Sequence, residues 1–286
     1  MLAPNRKSSA EQIRSVFISD THLGSRFSRA APLLQFLRRQ QPEFLYLVGD
    51  FIDGWALQRR WYWPPVYTEI LKRLETLGET GTCIRYTPGN HDAFLRTFRV
   101  DHPLVEIQDE FVHRCVDGRR LLVLHGDQFD EVETHGRWLS KIGSVGYDVM
   151  LAADRSLNGA LRRLGAPPIP ISRFIKQSVK RIVQFLSGLE KRAVAHAAES
   201  ECSGVICGHI HVPKVAQFDD SLYINLGDWI ENCTALVEYG DGRLELLDLE
   251  PELIRRQPVP KLLRPVLAPL ALWRAMRPPQ PEQQSC

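Results

Sequence analysis

Five histidines in this 286-residue chain stand beside carboxylates or an asparagine at the ends of short apolar runs. The clusters read Asp20-Thr-His22, Gly49-Asp50, Gly89-Asn90-His91-Asp92, His125-Gly-Asp127 and Gly208-His209-Ile-His211. A donor set of carboxylate, imidazole and amide oxygen suits borderline-to-hard divalent ions such as Mn2+, Mg2+ or Fe2+ better than a thiolate site would. Asp20, His22, Asp50, Asn90, His125, His209 and His211 are too many donors for one ion and enough for two that share a carboxylate. The flanking glycines let the backbone turn sharply beside them. Taken singly, a His or Asp at a strand end is more often a turn cap than a ligand. Asp127 is open to either reading, orienting His125 or capping a turn. Asp53 and Asp130 follow their clusters as supporting or solvated residues, and His102, His113, His135 and His196 have no such context.

These clusters need elements to hold them. Ser15–Ser19, Phe44–Val48, Thr82–Thr87, Leu121–Leu124 and Gly204–Cys207 are short β-branched and aromatic runs, the pattern of buried strands. Each runs into one of the clusters, where open α/β sheets place ligands. Ala30–Gln40 and Pro64–Leu77 carry helical patterns, the second with prolines at its start and Gly78 at its end. The first 125 residues therefore predict β-α-β-α-β with a parallel sheet. Runs at 214–218, 221–224, 233–239 and 243–248, separated by turn residues, predict antiparallel strands. An insert of about 130–200 has helical periodicity, with Ile171, Phe174, Ile175, Val179, Ile182, Val183 and Leu186 on one face. The last 36 residues are punctuated by proline. The organisation expected is 1–129 and 201–250 as two halves of one domain, 130–200 as a helical cap and 251–286 as a basic tail.

Composition is that of an ordinary globular protein, with 44% hydrophobic and 24% charged residues, which excludes a mostly disordered, collagenous or coiled-coil chain. The six cysteines form no C-x-x-C pair or dense framework and read as reduced thiols. The first 15 residues contain no apolar core segment and no run approaches a membrane span, so a cytoplasmic protein is expected. The net charge of +2 conceals asymmetry: residues 131–199 carry +5 and 255–277 carry +6, leaving about −9 for the rest. An acidic body makes a long nucleic acid an unexpected partner.

The ordered set SDTHLG, GDFIDG, GNHD, LHGD and GHIH resembles the calcineurin-like metallophosphoesterase superfamily over about residues 15–235. The resemblance implies an α/β fold, a β-sandwich flanked by helices, here with a helical cap insertion. It implies that Asp20, His22 and His211 hold one metal ion, that Asn90, His125 and His209 hold a second, and that Asp50 bridges them. Mn2+ is the expected ion, with Mg2+ and Fe2+ as alternatives. Two such ions clamp a phosphoryl oxygen and lower the pKa of a bridging water. His91 would face the leaving group and Asp92 would orient it.

The remainder of the chain bears on the substrate. Gly54-Trp55-Ala-Leu-Gln-Arg59-Arg60-Trp61-Tyr62-Trp63-Pro64 packs three Trp, one Tyr and two Arg behind the bridging Asp. Aromatics and Arg59 and Arg60 could stack a base and hold a diphosphate; a packed helix start with surface arginines is the plainer reading. The insert and the run Asn225-Leu-Gly-Asp228-Trp resemble the UDP-2,3-diacylglucosamine pyrophosphohydrolases of lipid A synthesis. That likeness implies a nucleotide-sugar lipid as substrate, with Asn158, Lys176 and Lys180 as candidate phosphate or sugar contacts. Well-known members of that group carry Arg where this chain has His91, the general superfamily form. The tail Lys261–Arg277 reads either as an anchor on an anionic membrane surface, which would make the protein peripheral on the inner membrane, or as a segment packed across the body. A phosphodiesterase or nuclease, and a non-catalytic membrane-docking module, are the alternative functions. No obligate protein partner is expected.

Overall fold

A computed structural model describes residues 12–97, 103–129 and 186–249, with the backbone of 255–258. Twelve strands are described among these residues. They are β1 (Ile13–Ile18), β2 (Phe44–Val48), β3 (Cys83–Thr87), β4 (Val105–Ile107), β5 (Glu110–Arg114), β6 (Arg120–Leu124), β7 (Gly204–Cys207), β8 (Lys214–Phe218), β9 (Ser221–Asn225), β10 (Thr234–Tyr239), β11 (Leu244–Asp248) and β12 (Arg255–Pro258). The helices are α1 (Ala30–Arg38), α2 (Gly54–Arg59), α3 (Pro65–Glu79) and α4, residues 186–199.

The strands form two sheets, one of order β12-β11-β10-β1-β2-β3-β4 and one of order β5-β6-β7-β9-β8. Alternation along each strand divides its side chains between two layers. In β1 and β2, Val16, Ile18, Leu45 and Leu47 pack outward against Leu33, Leu37, Ile70 and Leu77 of α1 and α3. Phe17, Tyr46 and Val48 face inward against Leu121, Val123, Ile206 and Ile224 of the second sheet. On that sheet's outer face, Leu122, Leu124 and Val205 meet Leu189, Ala193 and Ala197 of α4. The result is a sandwich of two sheets with helices outside both, an α/β fold in which β1, β2, β6, β7, β9, β10 and β11 are buried along most of their length on both faces. This explains why the strands read as continuous apolar runs.

The expected parallel sheet is present: β1–β2, β2–β3 and β3–β4 pair in parallel. The later strands are less uniform than expected. β8–β9 and β10–β11 are antiparallel, but β9 lies parallel to β7, and β10 crosses back to pair antiparallel with β1. The two halves of the chain therefore lie side by side in both sheets, joined at β10–β1 in one and at β6–β7 in the other. Two boundaries also move. The end of the expected cap, α4, is a core helix through Leu189, Ala193 and Ala197, and the start of the expected tail supplies β12. The apolar stripe from Ile171 to Val183, Asn158, Lys176, Lys180 and the tail beyond 258 lie outside the described residues. No helix among the described residues is long and apolar enough to cross a membrane.

Candidate metal centre

Five strands, β1, β2 and β3 of one sheet and β6 and β7 of the other, end within a few residues of a sequence-predicted ligand. Backbone bonds lash these ends together: Asp20 N–H to Gly49 O at 3.1 Å, His22 N–H to Asp50 O at 2.9 Å and Gly208 N–H to His125 O at 3.0 Å. The turns are tight enough that Asp20, His22, Asp50, His209 and His211 all adopt positive φ, between 48° and 70°. A non-glycine residue there costs about 1–2 kcal/mol, and such strain is retained where surrounding structure fixes it. Two glycines are required for a different reason. A Cβ on Gly89 would overlap Asp50 Oδ1 and the His125 ring, and one on Gly208 would overlap Ser19 and Asp20.

The side chains converge in two groups. In the first, His22 Nε2 and His211 Nε2 lie 3.3 Å apart, and Asp20 Oδ1 is 3.0 Å from His211 Nε2 and 3.8 Å from His22 Nε2. In the second, His125 Nε2 lies 3.4 Å from Asp50 Oδ2, and the His125 and His209 rings meet edge to face at 5.2 Å. Asp50 Oδ2 stands between the groups, 3.9 Å from His22 Nε2. Asn90 Oδ1 and His125 Nε2 are buried without a hydrogen-bond partner. His125 Nδ1 faces Val48 O at 3.1 Å, which directs Nε2 into the site. Nitrogen and oxygen lone pairs aimed at one another, with buried donors left unsatisfied, fit divalent cations; a protein without them would have to neutralise this arrangement with protons.

The electrostatics agree. Burial opposes ionisation of Asp50, yet His125, His22 and His91 around it hold its carboxyl well below the usual range. Asp20, also opposed by burial, is lowered chiefly by His211. Burial works against a charged imidazole, but Asp50 outweighs it at His125, pushed up to about 10, and Asp20 outweighs it at His211, pushed up to about 9.

The neighbourhood of His91 corrects one expectation. Asp92 does not orient it. The Asp92 carboxylate is fully buried and accepts from Phe51 N–H at 2.8 Å, Gly89 N–H at 2.6 Å, Asp50 and Ile52 N–H at 3.3 Å, and Tyr86 Oη–H. Burial and the Asp50 charge raise its pKa. It is the internal brace of the Asp50 turn. The partner of His91 is Asp53, whose Oδ1 lies 2.9 Å from Nδ1. Asp53 Oδ2 is 3.5 Å from His22 Nδ1, and Asp53 also caps α2 by accepting from Ala56 N–H at 2.8 Å. Although burial opposes it, the neighbouring His22 and His91 imidazoles keep the Asp53 carboxyl below its usual range. A signal existed in the sequence: an Asp directly before a helical start is a preferred N-cap.

The remaining predicted residues fall as follows. Asp127 does not orient His125; it starts a 3-10 turn and accepts from Arg96 Nη2 at 3.0 Å. Arg59 and Arg60 are exposed at the end of α2. His113 is buried between the sheets and His196 pairs with Glu110 at 2.8 Å, both away from the centre. His102, Asp130 and His135 lie outside the described residues. Exposed aromatics lie in the connections after β1, β2 and β3: Phe27 before α1, Trp55 in α2, Trp61 between α2 and α3, and Phe94 in a 3-10 turn. Asp228, buried beyond His211 with Oδ2 3.8 Å from its Nδ1, has three backbone N–H donors of its own.

A family model described as calcineurin-like phosphoesterase matches residues 13–213. The chain is similar to a UDP-2,3-diacylglucosamine hydrolase of Shewanella sp. (strain MR-7), 27% identical over 237 residues, 80% of this chain and 95% of the relative. A UDP-2,3-diacylglucosamine hydrolase of Ectopseudomonas mendocina (strain ymp) is 27% identical over 79% of this chain and 95% of its own. Among solved structures, Yfce, a phosphoesterase from E. coli, aligns at 16% identity with a TM-score of 0.43, covering 86% and 99% of the two chains.

Proposed function

Because this chain belongs to the calcineurin-like phosphoesterase family and is thus a metal-dependent hydrolase of phosphoester or phosphoric anhydride bonds, we propose that it is a dinuclear pyrophosphohydrolase whose substrate is UDP-2,3-diacylglucosamine. The products would be UMP and 2,3-diacylglucosamine 1-phosphate. The observation that carries the dinuclear reading is the position of Asp50 Oδ2, between His22 Nε2 at 3.9 Å and His125 Nε2 at 3.4 Å. Asp20, His22 and His211 would hold one ion and Asn90, His125 and His209 the other, with Asp50 available to both. Mn2+ is the ion proposed, since the donors are imidazole and oxygen without thiolate. Bound there, the ions would neutralise phosphoryl charge and lower the pKa of a water.

The chain's own residues do the rest. His91 turns Nε2 toward the centre, 4.0 Å from Asp50 Oδ2, while Asp53 holds Nδ1. That orientation suits His91 to the role of a general acid toward a leaving oxygen. Asp53 Oδ2 also lies 3.5 Å from His22 Nδ1, so one carboxylate stands next to a ligand and the acid together. The Asp92 brace keeps Asp50 in its positive-φ turn when a substrate presses on it.

Two observations support the lipid substrate. The relatives named for it match over most of their own length. The connection from α2 to α3 carries Trp61, 73% exposed, directly after the exposed Arg59 and Arg60, side chains suited to a flat group and a diphosphate. We place Asn158, Lys176 and Lys180 in the same role, and the protein on the cytoplasmic face of the inner membrane. Purified protein with Mn2+ is incubated with UDP-2,3-diacylglucosamine, UDP-glucose or a dinucleotide, and released UMP or mononucleotide is measured. Preference for the diacylated substrate by tenfold or more is expected. Equal rates on all three would remove the lipid assignment.

A further inference from the structure

His91 is held by more than Asp53. A single hydrogen bond at Nδ1 fixes one atom of an imidazole and leaves the ring free to tilt about that bond. Here the indole of Trp55 covers one face of the His91 ring, centroid to centroid 4.0 Å at 36°. The His22 ring meets it edge-on at 4.6 Å and 88°. The backbone of Trp55 is tied to the same anchor, because it lies in the first turn of α2, whose N-cap is the same Asp53 that bonds His91. The adjoining Gly54 N–H donates to His91 O at 3.1 Å, and a Cβ at Gly54 would strike that oxygen, so helix and His91 loop are in direct backbone contact. Trp55 remains 39% exposed. An indole left so open in the first turn of a helix is not a core residue; the ring it covers is His91.

We propose that Trp55 is a positioning residue for proton donation: it sets the plane of the His91 ring, so that Nε2 points at the leaving oxygen. This rests on the reading of His91 as the general acid. In that step an attacking water oxygen, having given up a proton, forms a new P–O bond as the P–O bond to the leaving group breaks; the electron pair of the broken bond stays on the leaving oxygen, and a proton passes from His91 Nε2 to that oxygen. A group that leaves readily as an anion needs no such proton, so the contribution of Trp55 depends on the leaving group.

The test compares full-length wild type, Trp55→Ala, Trp55→Leu, Trp55→Phe and His91→Ala in Mn2+. Two diesters are used, one losing p-nitrophenolate and one losing a simple alkoxide. Trp55→Ala and Trp55→Leu are expected to lower kcat on the alkyl diester about tenfold or more, with less than about threefold change on the aryl diester and KM unaltered. Trp55→Phe, which keeps a flat face, should recover most of the loss. Thermal midpoint and bound Mn2+ should match wild type; if the alanine variant does not fold, leucine and phenylalanine carry the comparison. Equal losses on both diesters, a change confined to KM, or no change would overturn the inference. His91→Ala separates the two readings. If it loses equally on both diesters, the assignment of His91 as acid fails. If it discriminates and the Trp55 variants do not, only the role of Trp55 fails.

Discussion

Two neighbouring acids do different work here, and the difference is measurable. Asp92 is an acceptor for backbone N–H groups that have no water to turn to, so Asp92→Ala should lower unfolding free energy by about 3–5 kcal/mol. Asp53→Ala removes an N-cap and should cost about 1–2 kcal/mol, while producing the leaving-group dependence expected of His91→Ala. Urea denaturation of both variants beside kinetics on alkyl and aryl diesters would distinguish them. The reverse ranking would mean that the brace and the orienting residue have been exchanged. Asp50 stands apart from both because it faces two groups of ligands. Asp50→Ala should abolish aryl diester hydrolysis, by about 10³-fold or more, and lower bound Mn2+ to one ion or fewer by elemental analysis. Hydrolysis that survived undiminished would remove the dinuclear scheme.

At the scale of elements, the centre is made by strand ends rather than by any one strand. β1, β2 and β3 bring Asp20, His22, Asp50 and Asn90 from one sheet, and β6 and β7 bring His125, His209 and His211 from the other. The turns that follow are too crowded for side chains at certain points. Gly89 is such a point, wedged against Asp50 and His125. Gly89→Ala should therefore weaken Mn2+ binding by about tenfold or more in calorimetry, since ligands must be pushed from their positions. Because Gly89 does not adopt positive φ, far-ultraviolet circular dichroism should stay native. Binding unchanged by the methyl group would show that the ligand cradle yields more than its packing implies.

At the scale of the whole molecule, the two sheets are joined by a buried polar chain through their hydrophobic interface. Arg85 donates to Tyr46 Oη at 2.9 Å, Tyr46 Oη lies 3.0 Å from His113 Nδ1, and His113 Nε2 lies 3.0 Å from Glu238 Oε2. Glu238 also accepts from Ser15 Oγ at 2.8 Å, Arg14 Nη1 at 2.9 Å and Val116 N–H at 2.8 Å. Burial opposes its charge, but these partners, His113 foremost, lower its pKa from 4.5 to about 2. A carboxyl whose folded pKa is depressed stabilises the fold above its unfolded value and loses that contribution as pH falls through the folded one. Glu238 should thus contribute about 3 kcal/mol above pH 4.5, lost progressively between pH 4.5 and 2. Wild type and Glu238→Gln should converge in stability across that window when unfolding is followed by tryptophan fluorescence. A constant gap from pH 7 to pH 2 would show that Glu238 acts through packing alone.

The sequence by itself determined nine of the twelve described strands, the parallel β1–β2–β3 core and the seven candidate ligands, but not the short β4, β5 and β12. Each of these depends on local information: a short apolar run reads as a buried strand, and a donor directly after it falls at that strand's end. Tertiary structure decided what local order does not encode. Asp92 adjoins His91 in sequence but turns inward to the Asp50 backbone, while Asp53, far along the chain, meets His91 in space. Asp127 follows His125 closely yet pairs with Arg96, because side-chain direction in a loop has no period to read. His113 carried no motif and proved to be part of the link between sheets, a contact set by the return of β10 to β1. Likewise the last helix of the expected cap and the first residues of the expected tail joined the sandwich. An apolar helix face and an open sheet edge say that something must cover them; only packing of the entire chain says what.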